Sequence, residues 1–230
     1  ARSVSSIYGP MKNKLKLGVL VSGGGSNLQA IIDNIEAGRL DAKISIVISN
    51  NVDAFAMQRC RQHNVPAIVA DHRDYASRND FDRHLIDILN SYNVELVVMA
   101  GFMRILTECF LAAFPMRIMN IHPALLPAFP GLHVQKQALD YGVRFSGCTV
   151  HFADGGVDTG PIIVQAVVPV YDEDDEESLA ARILREEHKI YSQAIQWYAE
   201  DRLKVRGRKV LLKENRGRDI RAQHNPPLPD

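Results

Sequence analysis

The stretch MNIHPALLPAFPG, residues 119–131, places an asparagine and a histidine two positions apart at the end of an apolar run. Side chains at positions i and i+2 of a strand point to the same face, so Asn120 and His122 would project together. An amide N–H and a protonated imidazole both donate hydrogen bonds. Two donors directed at one point would stabilise an oxyanion, the charged oxygen that forms when a carbonyl carbon is attacked. The alternative is a buried histidine with satisfied hydrogen bonds beside an asparagine that forms a turn.

The exit from this strand is stiffened by prolines. Pro123, Pro127 and Pro130 follow the histidine closely, and each fixes φ near about −65°. They indicate a shaped loop rather than a passive linker, which favours the oxyanion-binding interpretation.

A glycine-rich stretch, SGGGSN, follows the first apolar segment. Gly23, Gly24 and Gly25 allow a sharp turn and a close approach of backbone to ligand. A helix beginning near Ser26 would direct free N–H groups at an anion. The loop fits neither G-x-G-x-x-G, because Leu28 stands at the last position, nor a P-loop, which needs Gly-Lys-Ser/Thr. It therefore predicts a simple phosphate rather than a dinucleotide or triphosphate; the alternative is an ordinary glycine-rich turn.

The stretch HFADGGVDTGP supplies two carboxylates and a histidine. Asp154 or Asp158 could orient His122 and favour its charged form. Alternatively, these aspartates make the local hydrogen bonds of a turn. A metal held by His122, His151 and an aspartate is disfavoured, since no further closely spaced ligand is available. We predict no metal site.

The elements that must position these residues alternate between strand and helix in the first half of the chain. Apolar, β-branched runs end near Val21, Ala100 and Asn120, with helical patterns between them. This alternation predicts an α/β fold with a Rossmann-like, mostly parallel twisted sheet and helices on both faces. The C-terminal part is expected to be more antiparallel. The loops after the three named residues should converge at the carboxyl edge of the sheet.

Local signals refine this prediction. Asp53 and Ser178 are candidate helix caps, and a hairpin is expected to turn near Gly207. Glu187 and His188 are adjacent on the last helix, so only one of them should face inward.

Composition and charge limit the possible functions. Of 230 residues, 46% are hydrophobic and 23% charged, and the formal net charge is zero. These values are typical of a globular protein and give no basic footprint for nucleic acid. Three widely separated cysteines predict neither a disulfide framework nor structural zinc, which favours a reducing, cytoplasmic location. No apolar run approaches the roughly 20 residues of a membrane span.

One domain is expected over residues 12–213, with an N-terminal half at 15–114 and a C-terminal half at 115–213. Residues 1–11 are expected to be an extension introduced by cloning, with a transit-peptide remnant as the alternative. Residues 214–230 are expected to form a flexible, proline-bearing tail. A monomer and a homodimer both fit the sequence.

Taken together, these motifs resemble those of one family, the glycinamide ribonucleotide formyltransferases of purine synthesis. The similar stretches, in chain order, are SGGGSNLQAII, MAGFMRIL, MNIHPALLPAFPGLH, GCTVHF, DTGPII and EEHKIY. The resemblance as a whole runs from about Leu15 to Val210. The Asn-x-His-Pro and Asp-x-Gly-Pro elements are shared with folate-dependent formyltransferases at large, and the phosphate loop narrows the resemblance to this group.

The resemblance implies transfer of a formyl group from 10-formyltetrahydrofolate, a co-substrate bound between the two halves, to the amine of glycinamide ribonucleotide. It implies catalytic roles for Asn120, His122 and Asp158, with His151 in support. The residues implied in binding the ribonucleotide are Gly25, Ser26, Asn27, Pro123 and Glu187. Those implied in binding folate are Met103, Arg104, Ile105, Leu106, Asn120, Phe152, Ala153 and Asp154.

One position departs from the family pattern. Leu184 stands where the family commonly has a polar residue near the phosphate, and the adjacent Arg185 is a candidate substitute. The sequence leaves open whether Arg185 makes that phosphate contact in place of a polar residue at position 184.

Other functions also remain open. A formyltetrahydrofolate hydrolase or another folate-dependent formyltransferase shares part of the pattern. A nucleotide-binding oxidoreductase is disfavoured by Leu28 and by the lack of an acidic residue after the second strand. A non-catalytic binding module would keep the phosphate loop but would have no reason to align Asn120, His122 and Asp158.

Overall fold

The structure, a computed structural model, describes residues 14–214 together with Gln223 and Asn225. Within these residues the strands are β1 (Leu15–Val21), β2 (Ala42–Ser49), β3 (Ala67–Val69), β4 (Leu96–Met99), β5 (Ile118–His122), β6 (Phe145–Phe152), β7 (Ile162–Pro169), β8 (Leu203–Arg206) and β9 (Lys209–Leu212). They form one sheet in the order β3-β2-β1-β4-β5-β6-β7-β9-β8. Strands β1 to β5 are parallel, whereas β6 is antiparallel to β5 and β7 is antiparallel to β6. The predicted α/β class and the change to antiparallel pairing are confirmed.

Helices cover both faces of this sheet, as predicted. They are α1 (Ser26–Glu36), α2 (Ala56–Gln62), α3 (Arg78–Ser91), α4 (Glu108–Ala113), α5 (Val134–Tyr141) and α6 (Glu176–Ala199), with a 3-10 turn at His72–Asp74. Alternate residues of β1 show how the two layers arise. Leu17 and Val19 pack into one core with α1 and α6, while Leu20 packs into a second core with α3 and α4, because side chains alternate across a strand.

Both predicted caps were wrong in detail. Helix α2 has Phe55 at its N-cap, and Asp53 lies in the preceding turn, where its N–H donates to Asn51 Oδ1 at 3.1 Å. Helix α6 is capped by Asp175, whose carboxylate accepts the N–H of Ser178 at 2.8 Å. Ser178 Oγ accepts the Asp175 N–H at 3.1 Å. The serine is therefore the reciprocal member of a capping box rather than the cap itself.

The predicted hairpin is confirmed, since β8 and β9 are antiparallel and turn at Gly207. It extends the main sheet through a parallel pairing of Lys209 with Ile162. The expected extension at 1–11 lies outside the described residues, as does most of the expected tail at 214–230. Within the described residues, none of the helices combines the length and apolar character needed to cross a bilayer.

Tyr191 joins helix α6 to the strands that lead into the candidate site. Its side chain is fully buried, and its hydroxyl lies 2.9 Å from the carbonyl oxygens of both Met99 and Met119. Burial, followed by the charge of Glu187, raises the pKa of Tyr191 well above its usual value, so the phenol stays a donor. Because Met99 ends β4 and Met119 lies in β5, this contact holds α6 against both strands.

Replacing Tyr191 with phenylalanine should lower the free energy of unfolding by about 1–3 kcal/mol, because buried carbonyls lose their partner. Urea denaturation followed by circular dichroism measures the change. Tyr198→Phe on the same helix is the matched control, since the Tyr198 hydroxyl bonds none of the described residues. It should alter stability by less than about 0.5 kcal/mol. Equal losses in the two variants would contradict the role given to the Tyr191 hydroxyl.

Candidate active site

The loops after β1 and β4 are joined through Ser22. The Ser22 N–H donates to the carbonyl oxygen of Gly101 at 3.1 Å, and the Met103 N–H donates to Ser22 Oγ at 2.8 Å. Ser22 Oγ donates in turn to Asn50 Oδ1 at 2.6 Å. One hydroxyl therefore ties the glycine loop to the loop that carries the predicted folate residues.

A cavity of about 240 Å³ lies between these loops, lined by Ser22, Gly23, Gly24, Gly25, Ser26, Asn27, Ala100, Gly101 and Met103. The third loop starts on the neighbouring strand, where Asn120 pairs with Met99. The predicted convergence at the carboxyl edge is confirmed.

The backbone N–H groups of the glycine loop have no acceptor among the described residues. Gly25 has φ of +69°, and a Cβ built there would lie 2.7 Å from Ala56 Cβ. A Cβ on Gly23 or Gly24 would meet no atom within 4 Å. No side chain caps helix α1, and the backbone N–H groups from Gly23 to Ser26 bond no acceptor among the described residues. Free amides at the positive end of a helix dipole can bind an anion.

Glu187 and Asn27 form a buried pair beside this loop. Asn27 Nδ2 donates to Glu187 Oε2 at 2.8 Å, and Glu187 is 6% exposed. Burial raises the pKa of Glu187 above its usual value, although the Asn27 hydrogen bond acts to lower it. Asn27 Oδ1 is buried and has no partner among the described residues. A buried carboxyl beside the glycine loop can accept a hydrogen bond from a polar ligand.

His188 diverges from Glu187, as predicted for adjacent helix positions. It is half-buried and lines a second cavity of about 160 Å³ together with Arg59 and Asp33. Burial lowers its pKa, the Asp33 charge raises it, and the Arg59 charge lowers it further; the net direction is down. The lowered pKa favours the neutral form of the His188 ring.

Asp158 is the centre of the predicted catalytic group. Its Oδ2 lies 3.3 Å from His122 Nδ1 and accepts the Gly131 N–H at 2.9 Å. Its Oδ1 accepts from Asn120 Nδ2 at 3.4 Å and lies 3.7 Å from His151 Nε2. Burial would raise the pKa of Asp158, but the neighbouring His151 side chain, the Gly131 N–H and His122 lower it below its usual value. The carboxylate is thus held ionised between its donors.

The two aspartates of this loop have different roles. Asp154 accepts from Thr159 Oγ1 at 2.6 Å and from the Gly156 N–H at 3.1 Å, so it stabilises its own turn. Asp158 instead reaches His122. The interpretation as a local turn residue therefore applies to Asp154, and the interpretation as the partner of His122 applies to Asp158.

His122 is bonded on both sides of its ring. Nε2 lies 2.8 Å from the carbonyl oxygen of Phe129, which can only accept, and Nδ1 faces the Asp158 carboxylate. This environment accommodates a ring with a hydrogen on both nitrogens. The structure differs from the expected geometry of two donors aimed at an open point, because Asn120 donates to Asp158 and His122 Nδ1 faces the same carboxylate.

His151 fixes the orientation of the Asn120 amide. Its Nδ1 lies 2.9 Å from the carbonyl oxygen of Phe152, which places the hydrogen of the neutral ring there. Nε2 is then free to accept from Asn120 Nδ2 at 3.2 Å. With Asp158 as the second acceptor, both hydrogens of the Asn120 amide are directed, and the amide cannot flip without losing both bonds.

The predicted folate residues divide into an exposed and a buried group. Met103 is 69% exposed and Ile105 is 58% exposed, although both are apolar. Their neighbours Arg104 and Leu106 are half-buried, as are Ala153 and Asp154. Phe152, in contrast, is 1% exposed and its ring packs in the core, so its side chain is not at the surface of the cleft.

The remaining predicted positions differ in exposure. Pro123 directly follows His122 and is half-buried. Leu184 is half-buried and Arg185 is exposed. Arg185 bonds none of the described residues, so the structure adds no contact at this position of departure.

Sequence reasoning missed the backbone groups that hold the site. The Phe129 carbonyl and the Gly131 N–H bond His122 and Asp158 respectively, and such groups leave no side-chain signature. Gly131, with φ of +86°, could have been suspected from the Pro-Gly pair, but its partner could not. Within the described residues, no group of three or more His, Cys, Asp or Glu side chains is arranged to hold a metal ion.

This fold and these motifs match one class of protein. The profile of the family described as Formyl transferase matches residues 15–195, and the chain belongs to that family. Within the family, the similarity is to phosphoribosylglycinamide formyltransferases. The Escherichia coli K12 enzyme of that name is 44% identical over 187 residues, which cover 81% of this chain and 88% of the enzyme.

Two further relatives support the same family assignment. Glycinamide ribonucleotide transformylase 1 from Symbiobacterium toebii has a crystal structure that superposes with a TM-score of 0.87 at 48% identity, covering 91% of this chain and 98% of that one. The trifunctional purine biosynthetic protein adenosine-3 of Drosophila melanogaster is 48% identical over 186 residues, or 80% of this chain. The matched region spans only 14% of that longer protein. The resemblance seen in the motifs is confirmed.

Replacing Glu187 with glutamine should stabilise the folded protein at pH 8. Burial raises the pKa of Glu187, so the folded state favours the protonated carboxyl. The stability of the wild type is therefore full below the pKa of an unfolded-chain glutamate and falls as pH rises through the folded pKa. Glutamine keeps an acceptor for Asn27 but has no charge. The unfolding temperature of the variant should exceed that of the wild type, by about 2–4 °C per kcal/mol relieved.

The difference in unfolding temperature between Glu187→Gln and the wild type should shrink as the pH falls from 8 to 5. Calorimetry at several pH values measures it. Glu186→Gln is the matched control, because Glu186 is adjacent and pairs with Lys189 at 2.7 Å near the surface. It should show no gain that grows with pH. The same pH-dependent gain in both variants would refute the assignment to the buried carboxyl.

Proposed function

We propose that the protein transfers the formyl group of 10-formyltetrahydrofolate to the primary amine of glycinamide ribonucleotide, a step of purine (IMP) synthesis. The main support is that the Asn120 and His122 side chains both contact the Asp158 carboxylate at the carboxyl edge of β5, close to a phosphate-type glycine loop. A binding module would need the loop but not the bonded group. The similarity to phosphoribosylglycinamide formyltransferases supports the same reaction.

In this proposal the substrate phosphate binds the free amides of Gly25, Ser26 and Asn27. The glycinamide end extends toward Glu187 and Pro123. Phosphate oxygens only accept hydrogen bonds, which matches a loop that offers only N–H groups. The carboxyl of Glu187, already paired with Asn27 at 2.8 Å, gives the ribonucleotide a second polar contact.

The formyl donor is proposed to bind against the loop after β4. Met103 and Ile105 present apolar side chains to solvent, which a flat pterin ring would cover. Arg104 and Leu106 flank them, and Ala153, Asp154 and the backbone of Phe152 would bound the other side. Covering exposed apolar surface supplies binding free energy of about 25 cal/mol per Å².

The substrate amine then attacks the formyl carbon, and the carbonyl electrons move to oxygen. Asn120 and His122 are proposed to donate to this oxyanion, exchanging part of their bonding to Asp158. One such donor typically lowers a barrier by about 3–4 kcal/mol. Asp158 keeps His122 oriented and charged, and assists transfer of the amine proton to the folate nitrogen. The bond between that nitrogen and the formyl carbon breaks, which releases tetrahydrofolate and the formylated ribonucleotide.

Asp158→Asn and His122→Ala should each lower kcat by at least about 100-fold, because each removes transition-state stabilisation. Substrate Kd values, measured by calorimetry, should change by less than about threefold, since neither side chain is needed for ground-state binding. Asp140→Asn is the matched control for loss of a carboxylate, because Asp140 is exposed and, among the described residues, forms its ion pair with Lys136 on α5. Wild-type turnover in either test variant would refute the assigned roles.

The reaction itself is tested by following tetrahydrofolate release from 10-formyltetrahydrofolate, with and without glycinamide ribonucleotide. Release that requires the ribonucleotide is the expected result. Release in its absence would instead identify a formyltetrahydrofolate hydrolase. No release in either reaction would overturn the transferase and favour a binding module.

A further inference from the structure

The carbonyl side of the glycine loop is fully bonded within the protein. Four successive carbonyl oxygens each accept one internal hydrogen bond. The pairs are Ser22 with Asn51 Nδ2 at 3.3 Å, Gly23 with the Ala56 N–H at 3.1 Å, Gly24 with Arg59 Nε at 2.8 Å, and Gly25 with the Gln29 N–H at 2.9 Å.

These bonds determine where the amides point. In a trans peptide the carbonyl oxygen and the following N–H lie on opposite sides. Anchoring the oxygens of Ser22 to Gly25 toward Asn51, helix α2 and the body of α1 therefore turns the N–H groups of Gly23 to Ser26 the other way. Those are the amides that bond no acceptor among the described residues, next to the cavity of about 240 Å³.

Arg59 is the charged side chain among the donors, and it is itself held in place. Its Nη1 donates to Gln29 Oε1 at 3.0 Å, and its guanidinium lies 4.9 Å from the centroid of the Phe55 ring. Three contacts in different directions fix the planar group, so its bond to the Gly24 oxygen is preorganised. Hydrogen bonds with a charged donor are roughly twice as strong as neutral ones. Arg59 is thus the strongest side-chain restraint on the loop.

We propose that Arg59 is a positioning residue for the phosphate site, holding the glycine loop in the conformation that directs its amides at the substrate phosphate. This rests on the proposed function, in which that loop binds the phosphate of the ribonucleotide. Arg59 acts through the Gly24 carbonyl and takes no part in formyl transfer. Its loss should weaken binding of phosphorylated ligands specifically.

The test compares two ligands by calorimetry without a formyl donor: glycinamide ribonucleotide and the corresponding riboside, which lacks the phosphate. Arg59→Gln should raise the Kd of the ribonucleotide about 10- to 100-fold, the effect expected for loss of a charged hydrogen bond. The Kd of the riboside should change by less than about twofold. At saturating substrates, kcat should also change by less than about threefold, since the effect is on binding.

Two further variants separate positioning from charge. Arg61→Gln removes the same charge from the same helix at an exposed position, and its ribonucleotide Kd should match the wild type. Arg59→Lys keeps the charge but cannot span Gly24 and Gln29 with one planar group, so it should remain at least about fivefold weaker. Full recovery with lysine, an equal defect in Arg61→Gln, or an equal defect with the riboside would each overturn the proposal.

Titration with inorganic phosphate keeps this inference separate from the proposed reaction. Phosphate binding that is lost in Arg59→Gln would support the positioning role even if no formyl transfer occurred, and the absence of transfer would overturn only the proposed function. No phosphate or ribonucleotide binding by the wild type, or equal binding by both proteins, would overturn the positioning role.

Discussion

The candidate site depends on a loop that has to reverse its direction. Strand β6 is antiparallel to β5, with Phe152 opposite Met119 and Thr149 opposite His122, so its carboxyl end lies at the start of β5. The loop after β6 must therefore return along the sheet before Asp158 can reach His122. This return requires a close approach at Gly160, where a Cβ would overlap the carbonyl oxygen of Phe152. Asp158 itself has φ of +54°, a left-handed conformation for a non-glycine residue.

Two carboxyl groups, the half-buried Asp158 and the buried Glu187, meet opposite electrostatic environments. Asp158 is surrounded by hydrogen-bond donors and by the His122 and His151 rings, and its pKa falls. Glu187 has Asn27 as its hydrogen-bond partner, and burial raises its pKa. The first therefore stabilises the fold at neutral pH, while the second costs stability there. A site that keeps the costly group is consistent with selection for ligand binding rather than for stability.

Much of the architecture could be predicted from the sequence, because it follows from periodicity and from the geometry of parallel strands. Asn120 and His122 share a face of β5, and the loops after β1 and β4 meet, for these reasons alone. The convergence of Asp158 could not be predicted in the same way, since antiparallel β6 carries it away from the carboxyl edge. The hydrogen-bond partners of His122 could not be predicted from the sequence either, because one of them is the backbone carbonyl of Phe129, which has no side-chain signature. Phe152 fits a family motif, but a motif does not distinguish a side chain in the core from one in the cleft.

The Ser22 hydroxyl has a consequence for how two ligands would act together. It accepts the Met103 N–H at 2.8 Å while its own backbone N–H bonds Gly101 at 3.1 Å, so the two ligand-facing loops share one residue. A ligand that orders either loop also restricts the other, and the second ligand then loses less conformational entropy on binding. Such coupling is reciprocal by thermodynamic linkage. Each of two molecules bound across Ser22 would strengthen the affinity for the other by the same factor.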